Sequence, residues 1–185
     1  AIVHPARRPQ LTHASIDAGR ALAAQVASRE IARVTAFVNP LAIHLAGKPA
    51  PTTPLEGKFS TAYCCALALS GHAATQGDFS TARIADAPLR ALTAKVVLQA
   101  DAAIAETAAR MRIDFADGTQ AETRIALARG NPDNPMSWDD LRAKFMPLTE
   151  PVLGAQCAAD LFGALREFER PGALAALWHA AAPTR

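Results

Sequence analysis

Two short stretches of the chain gather side chains that could hold anions or move protons. The first opens the sequence, where His4, Arg7, Arg8 and His13 place potentially cationic groups just ahead of a helical pattern. Cations beside a helix N-terminus form a natural carboxylate site, because the unpaired backbone N–H groups there add partial positive charge; the alternative is a solvated, flexible chain end. The second is Gly57-Lys58-Phe59-Ser60-Thr61-Ala62-Tyr63, in which an ammonium, hydroxyls and a phenol enter an otherwise apolar segment. Buried polar groups need partners. These side chains either tie the fold together or face a pocket, and the residues alone leave both open.

Other chemistries find less support. The five histidines show no i, i+4 pair and no adjoining carboxylate motif, so no metal site is expected. Glycines do not cluster into a phosphate-cradling loop, and no Gly-x-Ser-x-Gly elbow occurs. Cys64 and Cys65 are adjacent and Cys157 is far away. With no Cys-x-x-Cys pair, the thiols read as small buried hydrophobes.

The elements that must position these groups come from a chain of 185 residues, half of them hydrophobic and 19% charged. That is enough apolar material for a core and excludes a disordered chain. A formal net charge of +2 gives no pull toward nucleic acid or a membrane surface. No apolar run approaches the ~18–20 residues that span a bilayer, and no signal-peptide pattern opens the sequence. A cytoplasmic protein is expected, without nucleic-acid or membrane partners. The start at Ala1, running straight into Ile2-Val3-His4-Pro5, suggests a piece of a longer protein.

Residues 1–13 read as an irregular lead because their prolines deny backbone donors. A helical pattern then runs from Ala14 to Ala27, and Ile31 to Val38 reads as a strand with Ala32, Val34, Ala36 and Val38 on one side. The proline-rich stretch 48–54 is a connection. Ser60 to Leu69 suits a helix buried on most faces. A short helix around Pro88–Thr93 leads into a strand from Lys95 to Gln99.

Alternation then marks a hairpin, with Ala109, Met111, Ile113 and Phe115 on one side and Ala121, Thr123, Ile125 and Leu127 following. A two-residue turn at Asp117-Gly118 would set the faces out of phase, so a loop of three or five residues with Gly118 at positive φ is expected. Ser137 stands where an N-cap should, three residues before Asp140. Helices follow at Trp138–Phe145, Ala155–Phe168 and Ala173–Ala181. In the second of these Cys157, Leu161, Ala164, Leu165 and Phe168 form an apolar stripe. The fold predicted is α+β, a two-layer sandwich with an antiparallel sheet, followed by a C-terminal helical tail.

Gly57-Lys58-Phe59-Ser60-x-x-Tyr63-x-x-Ala66-x-Ala68-Leu69 resembles a motif of the MmgE/PrpD family. So do Asp117-Gly118 and Arg129-Gly130-x-Pro132-x-Asn134-Pro135-x-Ser137-x-x-Asp140-Leu141-x-x-Lys144-Phe145. Thr12-His13-x-x-Ile16-Asp17-Ala18 is similar to the opening helix of that family's second domain. The family holds 2-methylcitrate dehydratase, cis-aconitate decarboxylase and iminodisuccinate epimerase.

The resemblance implies dimers built from a large helical domain and a smaller α+β domain, with the active site between them. Residues 1–147 would be the smaller domain. Residues 148–185 would be helices that pack on the large N-terminal helical domain, which this chain lacks. By the same resemblance Tyr63 and His13 are catalytic. His4 takes a position that is often lysine, and Pro9 one that can be a catalytic histidine. His4, Arg7, Arg8, Lys58 and Ser60 would bind a carboxylate substrate.

The implied function is part of a cofactor-independent lyase, most similar to 2-methylcitrate dehydratase, acting on a di- or tricarboxylic acid. The alternative is a non-catalytic domain serving as a folding or dimerisation module.

Overall fold

The computed structural model describes residues 9–26 and 29–181. The chain divides into two compact units, Ala1–Asn134 and Pro135–Arg185. The fold is α+β, as the sequence predicts.

The first unit opens with a 3-10 turn over Pro9–Thr12, inside the stretch read as irregular, and continues directly into helix α1, His13–Val26. Strand β1 is Ile31–Val38. Three helices follow, α2 (Pro40–Ala46), α3 (Pro54–Lys58) and α4 (Thr61–Leu69). Then come α5 (Thr81–Ala85), α6 (Ala87–Ala94), β2 (Val96–Ala100), β3 (Ala109–Phe115) and β4 (Gln120–Ile125).

The strands form one sheet in the order β2-β1-β3-β4. Two pairings are antiparallel, β1 with β3 and β3 with β4. The third differs from the antiparallel sheet expected, because β2 runs parallel to β1, with Val34 opposite Val96. The helices between these two strands supply the crossover that a parallel pair requires.

β1 also departs from simple alternation. Ala32 is exposed, while Thr35 and Phe37 are buried beside Val34, Ala36 and Val38. Its register shifts between Ile31 and Arg33. On the face carrying Phe37, the Arg110 guanidinium lies 3.6 Å from the ring centroid and covers it. The hairpin has the expected three-residue loop. Ile113 faces Ala121, the Phe115 N–H donates to the Thr119 carbonyl at 2.9 Å, and Gly118 takes φ +82°.

Helix α4 lies at the centre of the unit, and all nine of its residues are buried. Ala62, Cys65 and Leu69 join the sheet residues Val34, Met111 and Ile113 in one core cluster. Cys64 and Ala68 pack with Ile16 of α1, and Tyr63, Ala66 and Leu67 with Ile84 and Leu89 of α5 and α6. Close approach of α1 depends on Gly19, where a Cβ would stand 2.6 Å from that of Ala68. Asp17 ties α1 to the far end of the unit, its carboxylate accepting the Arg129 N–H at 2.8 Å.

The second unit is helical. α7 spans Trp138–Leu153, capped by Ser137 and Asp140 in the reciprocal arrangement expected. It continues past Phe145 through Pro147 and Pro151, beyond the end predicted. α8 is Ala155–Arg166 and α9 is Ala173–Ala180. The face of α8 covered within this unit is offset by one position from the apolar stripe, which the resemblance assigns to an outside helical domain. Ala158 and Phe162 are the buried residues, and the Phe162 ring meets Phe145 at 5.4 Å and Trp138 at 6.0 Å. Leu165 and Phe168 stay exposed.

Candidate functional site

Tyr63 enters the first turn of α4 because Ser60 caps that helix. The Ser60 hydroxyl accepts the Tyr63 N–H at 3.2 Å and donates to the Lys48 carbonyl at 2.5 Å. Both directions of the Ser60 hydroxyl are thus occupied inside the protein. That is the position of a structural cap, and no lone group is left facing a pocket.

The Tyr63 side chain is 1% exposed, and its hydroxyl donates to the Asp78 carbonyl at 2.8 Å. Burial pushes the phenol up from its ordinary 10.0 to about 12. It therefore carries its proton throughout the physiological range and can serve as a donor, but not as a base. Its ring meets Phe79 at 6.0 Å, with the Lys58 ammonium 5.9 Å from the same Phe79 ring. Phe79 is thus the link between two of the predicted site residues, Tyr63 and Lys58.

His13 is exposed at the first position of α1. The preceding residue, Thr12, hydrogen-bonds the Cys64 thiol, next to Tyr63 in α4. His4, Arg7 and Arg8, predicted together with Lys58 and Ser60 to hold the substrate carboxylate, lie outside the described residues. Cys64 and Cys65 are buried, and burial raises both thiols, Cys64 to about 12, so neither is a thiolate nucleophile at neutral pH. Among the described residues no group of three or more His, Cys, Asp or Glu side chains could hold a metal ion.

Sequence reading missed the segment that accepts the Tyr63 hydrogen bond. Asp78 not only offers its carbonyl to Tyr63. One carboxylate oxygen lies 3.8 Å from His72 Nδ1, and the other accepts the Thr75 N–H at 2.8 Å and hydroxyl at 3.2 Å. Ala74, between them, holds φ +51°, a strained conformation for a residue with a Cβ. The result is an imidazole near a fixed carboxylate, on the loop whose backbone carbonyl accepts the Tyr63 hydroxyl. The one available signal was Thr75-x-x-Asp78, a capping box around a 3-10 turn.

Tyr63 also borders a cavity of about 570 Å³, shared by the 49–52 loop, α5 and α6. Most of its wall is proline and alanine, with Arg90 its single ionic group.

A mixed sheet packed against a buried helix that Ser60 caps and Tyr63 opens defines an α+β domain. The family model for the MmgE/PrpD C-terminal domain matches residues 4–166, and the chain belongs to this family. No curated protein compared with the chain matches it. No helix among the described residues is long and apolar enough to cross a membrane.

Proposed function

We propose that this chain is the C-terminal portion of a cofactor-independent lyase, a dehydratase of the 2-methylcitrate type, acting on a di- or tricarboxylic acid. The observation that carries the reading is Tyr63, a protonated phenol in the family's motif, whose hydroxyl is held by the backbone of the loop bearing Asp78 and His72. Reactions of this kind remove a proton from a carbon next to a carboxylate. Negative charge then builds on the carboxylate oxygens, and a fixed hydrogen-bond donor there lowers the barrier. Tyr63 would supply that donor, turning from the Asp78 carbonyl to the developing charge. His13 at the head of α1 would take the carbon's proton and return it to the hydroxyl on the neighbouring carbon, which leaves as water as the double bond forms. Lys58, His4, Arg7 and Arg8 would draw the carboxylates in. The other half of the pocket would come from a helical domain preceding this chain, and the working enzyme would be a homodimer.

The test is Tyr63→Phe in the complete enzyme. A positioned acid is worth ~10²–10⁴ in rate, so kcat on 2-methylcitrate should fall by that factor. A purely structural Tyr63 would instead leave kcat intact and cost about 1–3 kcal/mol of stability for the Asp78 carbonyl left unpaired. The second reading, a folding or dimerisation module, draws on Leu174 and Trp178, which are 69% and 82% exposed in the helical unit. Unaltered turnover in Tyr63→Phe, together with loss of dimers when those two are made polar, would favour it.

A further inference from the structure

The cavity beside Tyr63 has a chemistry of its own. At about 570 Å³ it falls within the ~300–1,000 Å³ range of small-molecule sites. Pro49, Pro51, Ile84 and alanines of α5 and α6 form its walls. Most of the polar groups that reach it are already engaged. The Thr52 hydroxyl bonds the Glu56 carboxylate at 2.9 Å, that of Thr93 the Leu89 carbonyl at 2.8 Å, and that of Tyr63 the Asp78 carbonyl.

Arg90 differs. Among the described residues its guanidinium makes no hydrogen bond, ion pair or ring contact. Arg20, Arg29, Arg110 and Arg112, by contrast, each face a carboxylate. The carboxylate of Asp86, one turn before Arg90, caps the Leu89 N–H at 3.3 Å. An unpaired planar cation at the edge of an apolar cavity is matched by an anion that carries hydrocarbon.

We infer that this cavity binds a monocarboxylic acid with a short hydrocarbon chain, its carboxylate on Arg90 and its chain against the prolines and alanines. A guanidinium takes one carboxylate in a two-pronged pair. A second carboxylate on the same ligand would leave water for a wall with no cation to meet it, which is costly. The ligand class therefore differs from the di- or tricarboxylate of the proposed reaction, and this site stands whether or not that reaction does.

Tyr63 is the only tyrosine in the chain. Replacing it biosynthetically with fluorotyrosine places a single fluorine NMR reporter on the cavity wall. Sodium hexanoate titrated into the chain should move that line saturably, and hexanol should bind far more weakly. Adipate, the six-carbon diacid, should bind at least about tenfold more weakly, since one of its charges goes unpaired. Arg90→Gln should raise the hexanoate Kd by about tenfold or more, and Arg90→Lys, which keeps the charge but loses the fork, by less. Arg90 is exposed, so both variants are expected to melt with the parent chain. An unmoved line, a hexanol or adipate affinity equal to that of hexanoate, or an unchanged Kd in Arg90→Gln would each overturn the assignment. Turnover by Tyr63→Phe reports on the lyase reading separately.

Discussion

In the first unit all nine residues of α4 are buried, whereas the sixteen-residue α7 of the second unit buries none. Intrinsic propensity does not explain the contrast. α4 carries a tyrosine, a threonine and two cysteines, none of them strong helix formers. It is helical because sheet, α1, α5 and α6 cover every side, so the core closes within the unit. α7 and α8 meet around Phe162, Trp138 and Phe145, but large side chains such as Val152, at 78% exposure, stay largely in water. The described candidate site groups Tyr63, Lys58, Asp78 and His72 all belong to the unit with the closed core. Rigid surroundings are what fixed catalytic geometry needs.

The sharpest way to break this comparison is to empty the closed core. Leu67 is fully buried, so Leu67→Ala should cost about 2–5 kcal/mol. Leu165→Ala in α8, at 40% exposure, should cost well under half as much. Urea denaturation of both variants measures the difference, and equal losses would mean that the two units are held with equal strength. A smaller but more local effect is expected at the α1–α4 contact. Gly19→Ala puts a Cβ 2.6 Å from that of Ala68 and 3.3 Å from the Cys65 carbonyl. Neither neighbour is a flexible side-chain end, so α1 must shift, at about 1–3 kcal/mol.

Titration separates closed from open regions more gently. Burial holds the Tyr63 phenol and the Cys64 thiol near 12, above their ordinary 10.0 and 9.0. The unfolded chain gives up these protons first. Their contribution is therefore complete below pH 9 and lost as pH rises from 9 through 12. Surface carboxylates act in the opposite sense. Glu56 is lowered from 4.5 to about 2 by Lys48 and Thr52, and Asp117 from 3.8 to about 2 by Thr119 and Arg29. Their contribution is complete above pH 4.5 and is lost as pH falls toward 2. Urea midpoints across pH should drop at both ends. Tyr63→Phe should flatten the alkaline limb alone.

Much of the fold was legible because local signals agreed with the tertiary outcome. The hairpin phase required an odd loop, and Gly118 supplied its positive φ. Ser137 and Asp140 announced the start of α7. Legibility failed where the deciding contact was distant in sequence. The parallel pairing of β2 depends on a crossover that no period encodes, and Phe37 is buried on the outer face by arginines of another strand. On α8 the pattern marked a stripe for an outside partner, while Phe162, one position off it, is covered by Phe145 and Trp138. At the site, the motif pointed to Tyr63 and Lys58. The partners of Tyr63 came from a loop fifteen residues on, in which Asp78 engages through its backbone carbonyl, a group with no sequence signature.

The smallest effect on stability, and the clearest on association, is expected in α9. Leu174 and Trp178 are 69% and 82% exposed, so the folded chain gains little from either. Replacing both by serine should change its unfolding free energy by less than about 0.5 kcal/mol, the usual range for surface positions. Yet each such side chain left in water forgoes ~1.5–3 kcal/mol of transfer free energy, which a second copy of the same helix could recover across a two-fold axis. The chain should therefore sediment as a dimer at high concentration, and the double variant as a monomer. A wild-type chain that stays monomeric would remove the homodimer from the proposal, leaving α9 a face that some other surface must cover.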